Sequence, residues 1–378
     1  MLWCWLVVLT LSTISEAVAS EWRFRHYTDM EGLSSNTVQC IYQDHNGYIW
    51  AGTKGGLNRF NSHDFTKFYA DYRKSDGLSN DNIYCITSER PDSSDRLWIG
   101  TIDGIDVFDT HTQQFSHLQI TIDGKFLDNV LIYTMVADYA GNMWIGTLGH
   151  GLLRYNHATQ SFTQYDEKSH PTLFERNTVA KIVIDEEQQV WIGMGGSSIC
   201  RYNPEQDDFS TFKVEDSLTR KSISRISTIY ADNVGNIWIA GMAGDLFLFD
   251  RSTMRFSRNV PTFTGGNIRA ITEREKGVLL LGTDQGLVSF NTRERTFKVE
   301  DDGRTKQTTG LNDNFIHAMI CDRDGGLWIG TYYGGLNYMP AGQNIFFSPK
   351  IPEGCGQIIP HYSMYAAPCC CTPFSSAA

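Results

Sequence analysis

The sequence is short of positive charge. It has 32 lysines and arginines against 43 aspartates and glutamates, a net charge of −11. A nucleic-acid partner wants a basic face, and an anionic membrane surface wants a polybasic segment. Neither is present, so both partner classes are set aside. Long apolar runs are missing after the first twenty residues, which leaves no second helix able to span a bilayer. A Walker loop, an HExxH pair and a nucleophile elbow are also missing. The Asp- and Gly-bearing turns lack the distal Glu of a calcium loop. Cys369, Cys370 and Cys371 are adjacent, which is not the spacing of zinc ligands. No metal and no cofactor is expected.

What is present begins with a leader. Residues 1–19, MLWCWLVVLTLSTISEAVA, hold a short apolar stretch that ends in the small-x-small site Ala17-Val18-Ala19. This is the form of a secretory signal, although no Lys or Arg precedes the apolar run. Export to the periplasm is the expectation. Of the cysteines, Cys40 and Cys85 fall at matching places in neighbouring apolar segments and read as small buried hydrophobes, with a bridge between them as the alternative.

Aromatics at 12% and 34 glycines suit many short strands joined by tight turns. The phrase DHNGYIWAGTKGGLNRF at 44–60 returns as DRDGGLWIGTYYGGLNYM at 322–339, and five weaker copies lie between. The tryptophan of the phrase stands at Trp50, Trp98, Trp144, Trp191, Trp238 and Trp328, with Leu280 in its place in KGVLLLGTDQGLVSF. The steps are 48, 46, 47, 47, 42 and 48 residues, so seven units repeat with a period near 46. A period of this size marks a solenoid or a propeller. In the first unit, strands are expected over 36–44, 48–53, 57–61 and 65–72, with HNG and KGG as turns. Four antiparallel strands per unit make a propeller blade. The fold expected is all-β, a seven-bladed β-propeller of four-stranded antiparallel blades over residues 20–350. Residues 351–378 form a tail without the repeat. Either EWRFRHY (21–27) or NIFFSPK (344–350) can complete the last blade. The repeated tryptophan fills the wedge between neighbouring sheets, and the turn aspartates satisfy turn backbone groups.

The units G-L-S-x-N … D-x-x-G-x-x-W-I-G-T-x-x-G-L-x-x-[FY]-[ND] resemble the two-component regulator propeller repeat. GLSSNTVQCIYQDHNGYIWAGTKGGLNRFN and GLNDNFIHAMICDRDGGLWIGTYYGGLNYM carry the resemblance most clearly, and it covers about 22–350. It implies the periplasmic sensor half of a hybrid two-component system. In that family about fourteen repeats usually form two propellers, followed by an immunoglobulin-like domain, a transmembrane helix, a histidine kinase and a response regulator. Only seven repeats are found here. A truncated or frame-shifted product with a non-native tail is expected; a free-standing propeller with a disordered tail is the alternative.

A propeller binds ligands on one face, near the central channel. Aligned on Val38 and Ile316, the seven innermost strands vary at the next residue: Gln39, Tyr84, Tyr133, Ala180, Ser227, Arg269 and His317. Two residues on, the position is always Ile or Met. The loops between second and third strands add Lys54, Asp103, His150, Asp284, Tyr332 and Tyr333. Aromatic faces pack on sugar C–H surfaces, while amides, guanidinium groups and carboxylates bind hydroxyls and acidic groups. The expected partner is an oligosaccharide or another small polar ligand, with a second propeller or sensor chain as a further partner. Two other functions stay open. One is a pure interaction scaffold. The other is a polysaccharide-active enzyme, since fold alone does not choose a chemistry and glycoside hydrolysis needs two carboxylates about 5–10 Å apart. No residue is assigned a catalytic role.

Overall fold

The computed structural model describes residues 22–342, apart from 72, 74–76, 91–93, 172–176, 259–265 and 303–308. The expected leader and tail lie outside the described residues. In the first unit, Val38–Gln43, Ile49–Thr53, Gly56–Phe60 and Phe65–Phe68 pair in chain order as one antiparallel sheet. The second strand, IWAGT, is buried at every position, because both of its faces meet neighbouring sheets. The fourth strand ends at Phe68 and not at 72. There the Asp81 carboxylate takes the Ala70 backbone N–H at 2.7 Å and turns the chain away. Gly47 closes the first turn with a φ of 90°, which only glycine adopts freely.

Six more four-stranded sheets repeat this order. Their innermost strands are Ile83–Ser88, Ile132–Ala137, Val179–Ile184, Ile226–Ala231, Ile268–Glu275 and Ile316–Cys321. Each touches the next, and Ile316–Cys321 touches Val38–Gln43, so the ring closes. The clasp is the N-terminal segment: Arg25–Tyr27 pairs antiparallel with Leu336–Met339, with Arg25 opposite Tyr338. Closure leaves no blade with an open inner edge. The competing segment 344–350 lies outside the described residues. A small hairpin, Thr121–Ile122 with Lys125–Phe126, is inserted between the second and third blades and was not legible in the repeat.

The core is seven clusters, one per junction between blades, and the tryptophans explain why. Trp50 packs with Ile83, Ile86 and Leu97 of the next blade. Trp98, Trp144, Trp191 and Trp238 do the same with the third to sixth blades, and Trp328 packs against Val38 and Ile41 of the first. At the remaining junction Leu280 replaces the tryptophan, and Trp22 and Phe24 of the N-terminal segment enter that cluster. The clasp therefore adds aromatic volume at the one junction whose own blade supplies none. Truncating a buried aromatic to alanine costs roughly 3–5 kcal/mol, so these junctions carry much of the ring's stability.

The turn aspartates are partners of the tryptophans. Asp44 accepts the Tyr48 N–H at 3.0 Å through one oxygen and the Trp50 indole N–H at 2.7 Å through the other. The indole bond recurs from Asp138 to Trp144, Asp185 to Trp191, Asp232 to Trp238 and Asp322 to Trp328, at 2.6–2.9 Å. Two blades depart. In the second, Glu89 stands three residues after Ile86, as Asp44 does after Ile41, and bonds Arg96 instead; the buried Trp98 Nε1 has no acceptor among the described residues. In the sixth, Asp and Trp are lost together to Arg274 and Leu280.

Candidate functional site: the central channel

In every blade the innermost strand begins with a β-bulge. Val38 sits opposite Thr53 and Cys40 opposite Gly52, so Gln39 has no partner across the ladder. The same shift leaves Tyr84, Tyr133, Ala180, Ser227, Arg269 and His317 unpaired. A bulge re-aims one side chain and bends the strand. Here it turns seven side chains into one central cavity of about 690 Å³, which all seven line. That volume falls in the range of small-molecule sites, about 300–1,000 Å³. The variable position read from the alignment is the bulge itself.

The lining residues differ in what they are free to do. Gln39 donates to the Ile83 carbonyl at 2.9 Å, and Ser227 donates to the Ile268 carbonyl, so both tie one blade to the next. Tyr84 and Tyr133 lie side by side with centroids 5.9 Å apart, and Tyr133 is 43% exposed. Their rings offer apolar faces to whatever enters. The Arg269 guanidinium sits 4.6 Å from the centre of the Phe315 ring, and its buried Nε has no acceptor among the described residues. His317 packs between Phe315 and Tyr332. Burial, aided by Arg269 and Lys54, depresses its pKa to about 4, so it is neutral at pH 7.

The residue after each bulge forms a second tier that alternation did not reveal: Cys40, Cys85, Thr134, Lys181, Thr228, Ala270 and Ala318. Lys181 is the ionisable base in this tier. It is open to channel water, and its place deep among the inner strands lowers its pKa by partial desolvation. The nearest groups acting on its charge are the Cys85 and Cys40 thiols. Those cysteines are free and not bridged. Burial pushes the Cys40 thiol up to about 12 and raises Cys85 as well, so both stay protonated.

The six loop residues are not themselves part of the lining, although Tyr332 packs on His317. The Lys54 ammonium donates to the Tyr332 hydroxyl at 2.7 Å, fastening the first blade's loop to the seventh's. Asp284 accepts from the Asn267 backbone and side chain at 2.9 and 2.7 Å. Asp103 borders a separate, smaller hollow beside Asp106 and His117. His150 bonds through its backbone to Thr147 and Gln164, and Tyr333 is 71% exposed. Of the eleven expected rim residues, Gln39, Tyr84, Tyr133, Arg269 and His317 come together in the channel; Lys54, Asp103, His150, Asp284, Tyr332 and Tyr333 do not. Among the described residues no group of three or more His, Cys, Asp or Glu is placed to hold a metal ion. No helix among them is long and apolar enough to cross a membrane.

Ring and channel together define a closed seven-bladed propeller with one cavity of blade-specific lining. The family model of the two-component regulator propeller matches residues 32–55, 126–149 and 310–333. Histidine kinase P4 of Formosa agariphila is 29% identical over 136 residues, 35% of this chain and 10% of that protein. The extracellular domain of a hybrid two-component system from B. thetaiotaomicron superimposes with a TM-score of 0.72 at 22% identity, over 84% of this chain and 42% of that one. Virginiamycin B lyase from Staphylococcus aureus shares the fold over 85% of this chain and 99% of its own, with a TM-score of 0.63 at 14% identity. The chain thus spans a tenth of the matched kinase and less than half of the matched sensor domain.

Proposed function

We propose that this propeller is the extracytoplasmic ligand-sensing part of a two-component signalling system and that its ligand is a small hydroxylated molecule of the glycan-fragment type. One observation carries the reading: seven bulges hold the ladder constant and deliver the variable side chains into one cavity. That is how a scaffold changes its ligand without changing its core. The paired Tyr84 and Tyr133 rings suit a sugar's C–H face. The channel assembles no pair of carboxylates for glycoside hydrolysis among its described lining residues. The histidine kinase and sensor-domain likenesses support a signalling role. Transmission would be a population shift: ligand favours one arrangement of paired sensor domains, and a kinase beyond the membrane reads it.

The test is a thermal-shift screen of the full chain against neutral and acidic oligosaccharides. A ligand at a hundred times its Kd adds about 2.7 kcal/mol to the folded state. A saturable rise in melting temperature with one glycan class, lost in Tyr133→Ala, is the expected result. A cooperative melt that no glycan moves refutes the glycan reading.

A further inference from the structure

Charge is sorted in this molecule. The chain as a whole is acidic, with a net charge of −11. Its central cavity is the reverse: no Asp or Glu appears among the described lining residues, while Lys181, Arg225 and Arg269 do. None of the three forms an ion pair with a described residue, and Lys181 and Arg269 sit on the inner strands themselves. Lys181 makes no hydrogen bond or ion pair with any described residue, and the groups acting on it are two protonated thiols. Arg269 lies on an aromatic ring with its Nε buried and unpaired. Two carboxylates of the loops are engaged elsewhere. Asp284 is held by Asn267, and Asp313, which also acts on the charge of His317, accepts the Tyr333 N–H at 2.9 Å.

Cations that face a cavity without a protein partner are open to charge-assisted bonds from an anionic ligand. Nothing in the ring's architecture demands a base at 181, since the equivalent positions elsewhere are Cys, Thr and Ala. We infer that the channel takes an anionic ligand, an acidic oligosaccharide whose carboxylate or sulfate groups are held by Lys181 and Arg269. This rests on the channel being the sensing site. Charge-assisted bonds to both cations would supply affinity, and the tyrosine pair would position the sugar.

The experiment compares matched ligands on the full chain by calorimetric titration and thermal shift. One pair is trigalacturonate and its methyl ester; the other is a sulfated galactan tetrasaccharide and its desulfated form; sodium sulfate is the bare anion. The charged member of at least one pair should bind at least tenfold tighter, and which pair responds separates carboxylate from sulfate. Lys181→Met and Arg269→Met should each weaken that binding at least tenfold while melting cooperatively without ligand. Equal binding of the uncharged members, or full binding by both variants, overturns the inference and leaves the glycan reading standing. Binding of sulfate alone, lost in the variants, keeps the anion site and removes the glycan. No response to any of them removes both.

Discussion

Trp50 and Trp98 are the same residue in neighbouring blades, both almost fully buried, and they differ in one bond. The Trp50 indole donates to the buried Asp44 carboxylate at 2.7 Å, whereas Trp98 Nε1 has no acceptor among the described residues. Replacing each by phenylalanine removes comparable apolar surface, so the packing loss largely cancels between the variants. What remains is electrostatic. Trp50→Phe breaks a hydrogen bond to a charged group, about 1.5–3 kcal/mol. Trp98→Phe instead removes an unsatisfied buried donor, whose burial costs about 1–3 kcal/mol. Trp50→Phe should therefore be the more destabilising by roughly 2.5–6 kcal/mol. Urea unfolding followed by circular dichroism and by fluorescence measures this, provided the two transitions coincide and the slopes match. A difference below about 1 kcal/mol would refute the view that the Asp–Trp bond holds the junction.

Other outcomes follow from the same geometry. A Cβ on Gly52 would meet Cys40 Sγ at 2.5 Å and Ile83 Cγ2 at 2.6 Å, so Gly52→Ala should destabilise by about 1–3 kcal/mol in the same assay. Deleting the chain through Tyr27 removes both the clasp strand and two aromatics of the junction between the sixth and seventh blades; cooperative melting should be lost, and an unchanged melt would show the clasp to be dispensable. His317 has a depressed pKa, so between its unfolded value of 6.5 and about 4 the unfolded chain binds the proton first. Stability should then fall as pH drops across that window, stay flat with respect to this group above it, and fall less in His317→Gln. Cys40 and Cys200, with thiol pKa values of about 12, should resist a thiol reagent at pH 8 until the protein unfolds.

The Asp–Trp pairing has a signal in the sequence. Asp precedes Trp by six residues at 44 and 50, 92 and 98, 138 and 144, 185 and 191, 232 and 238, and 322 and 328, and both vanish together in the sixth blade; Asp92 lies outside the described residues. Reading the aspartate as a turn residue and the tryptophan as filler accounts for each alone and misses that a six-residue hairpin offset brings them into contact. Lys181 is a different kind of omission. A bulge breaks the period of two, so past that point alternation no longer tells which side chains face the axis. The variable residue at each bulge was found, and the lysine one position on was not.

By itself the sequence determined the number of blades, the order of strands within each and the tryptophan at six of the seven junctions. These depend on residues within one period of one another, where spacing translates directly into place. Tertiary structure decided the rest. It chose the N-terminal segment as clasp, because pairing at the ring's seam joins residues some three hundred positions apart. It separated the five lining residues from the six on the loops, because both sets occupy one face and only the bulge turns a side chain toward the axis. And it gathered uncompensated cations at the centre of an acidic molecule, because residues of the fourth, fifth and sixth blades meet only when the ring closes.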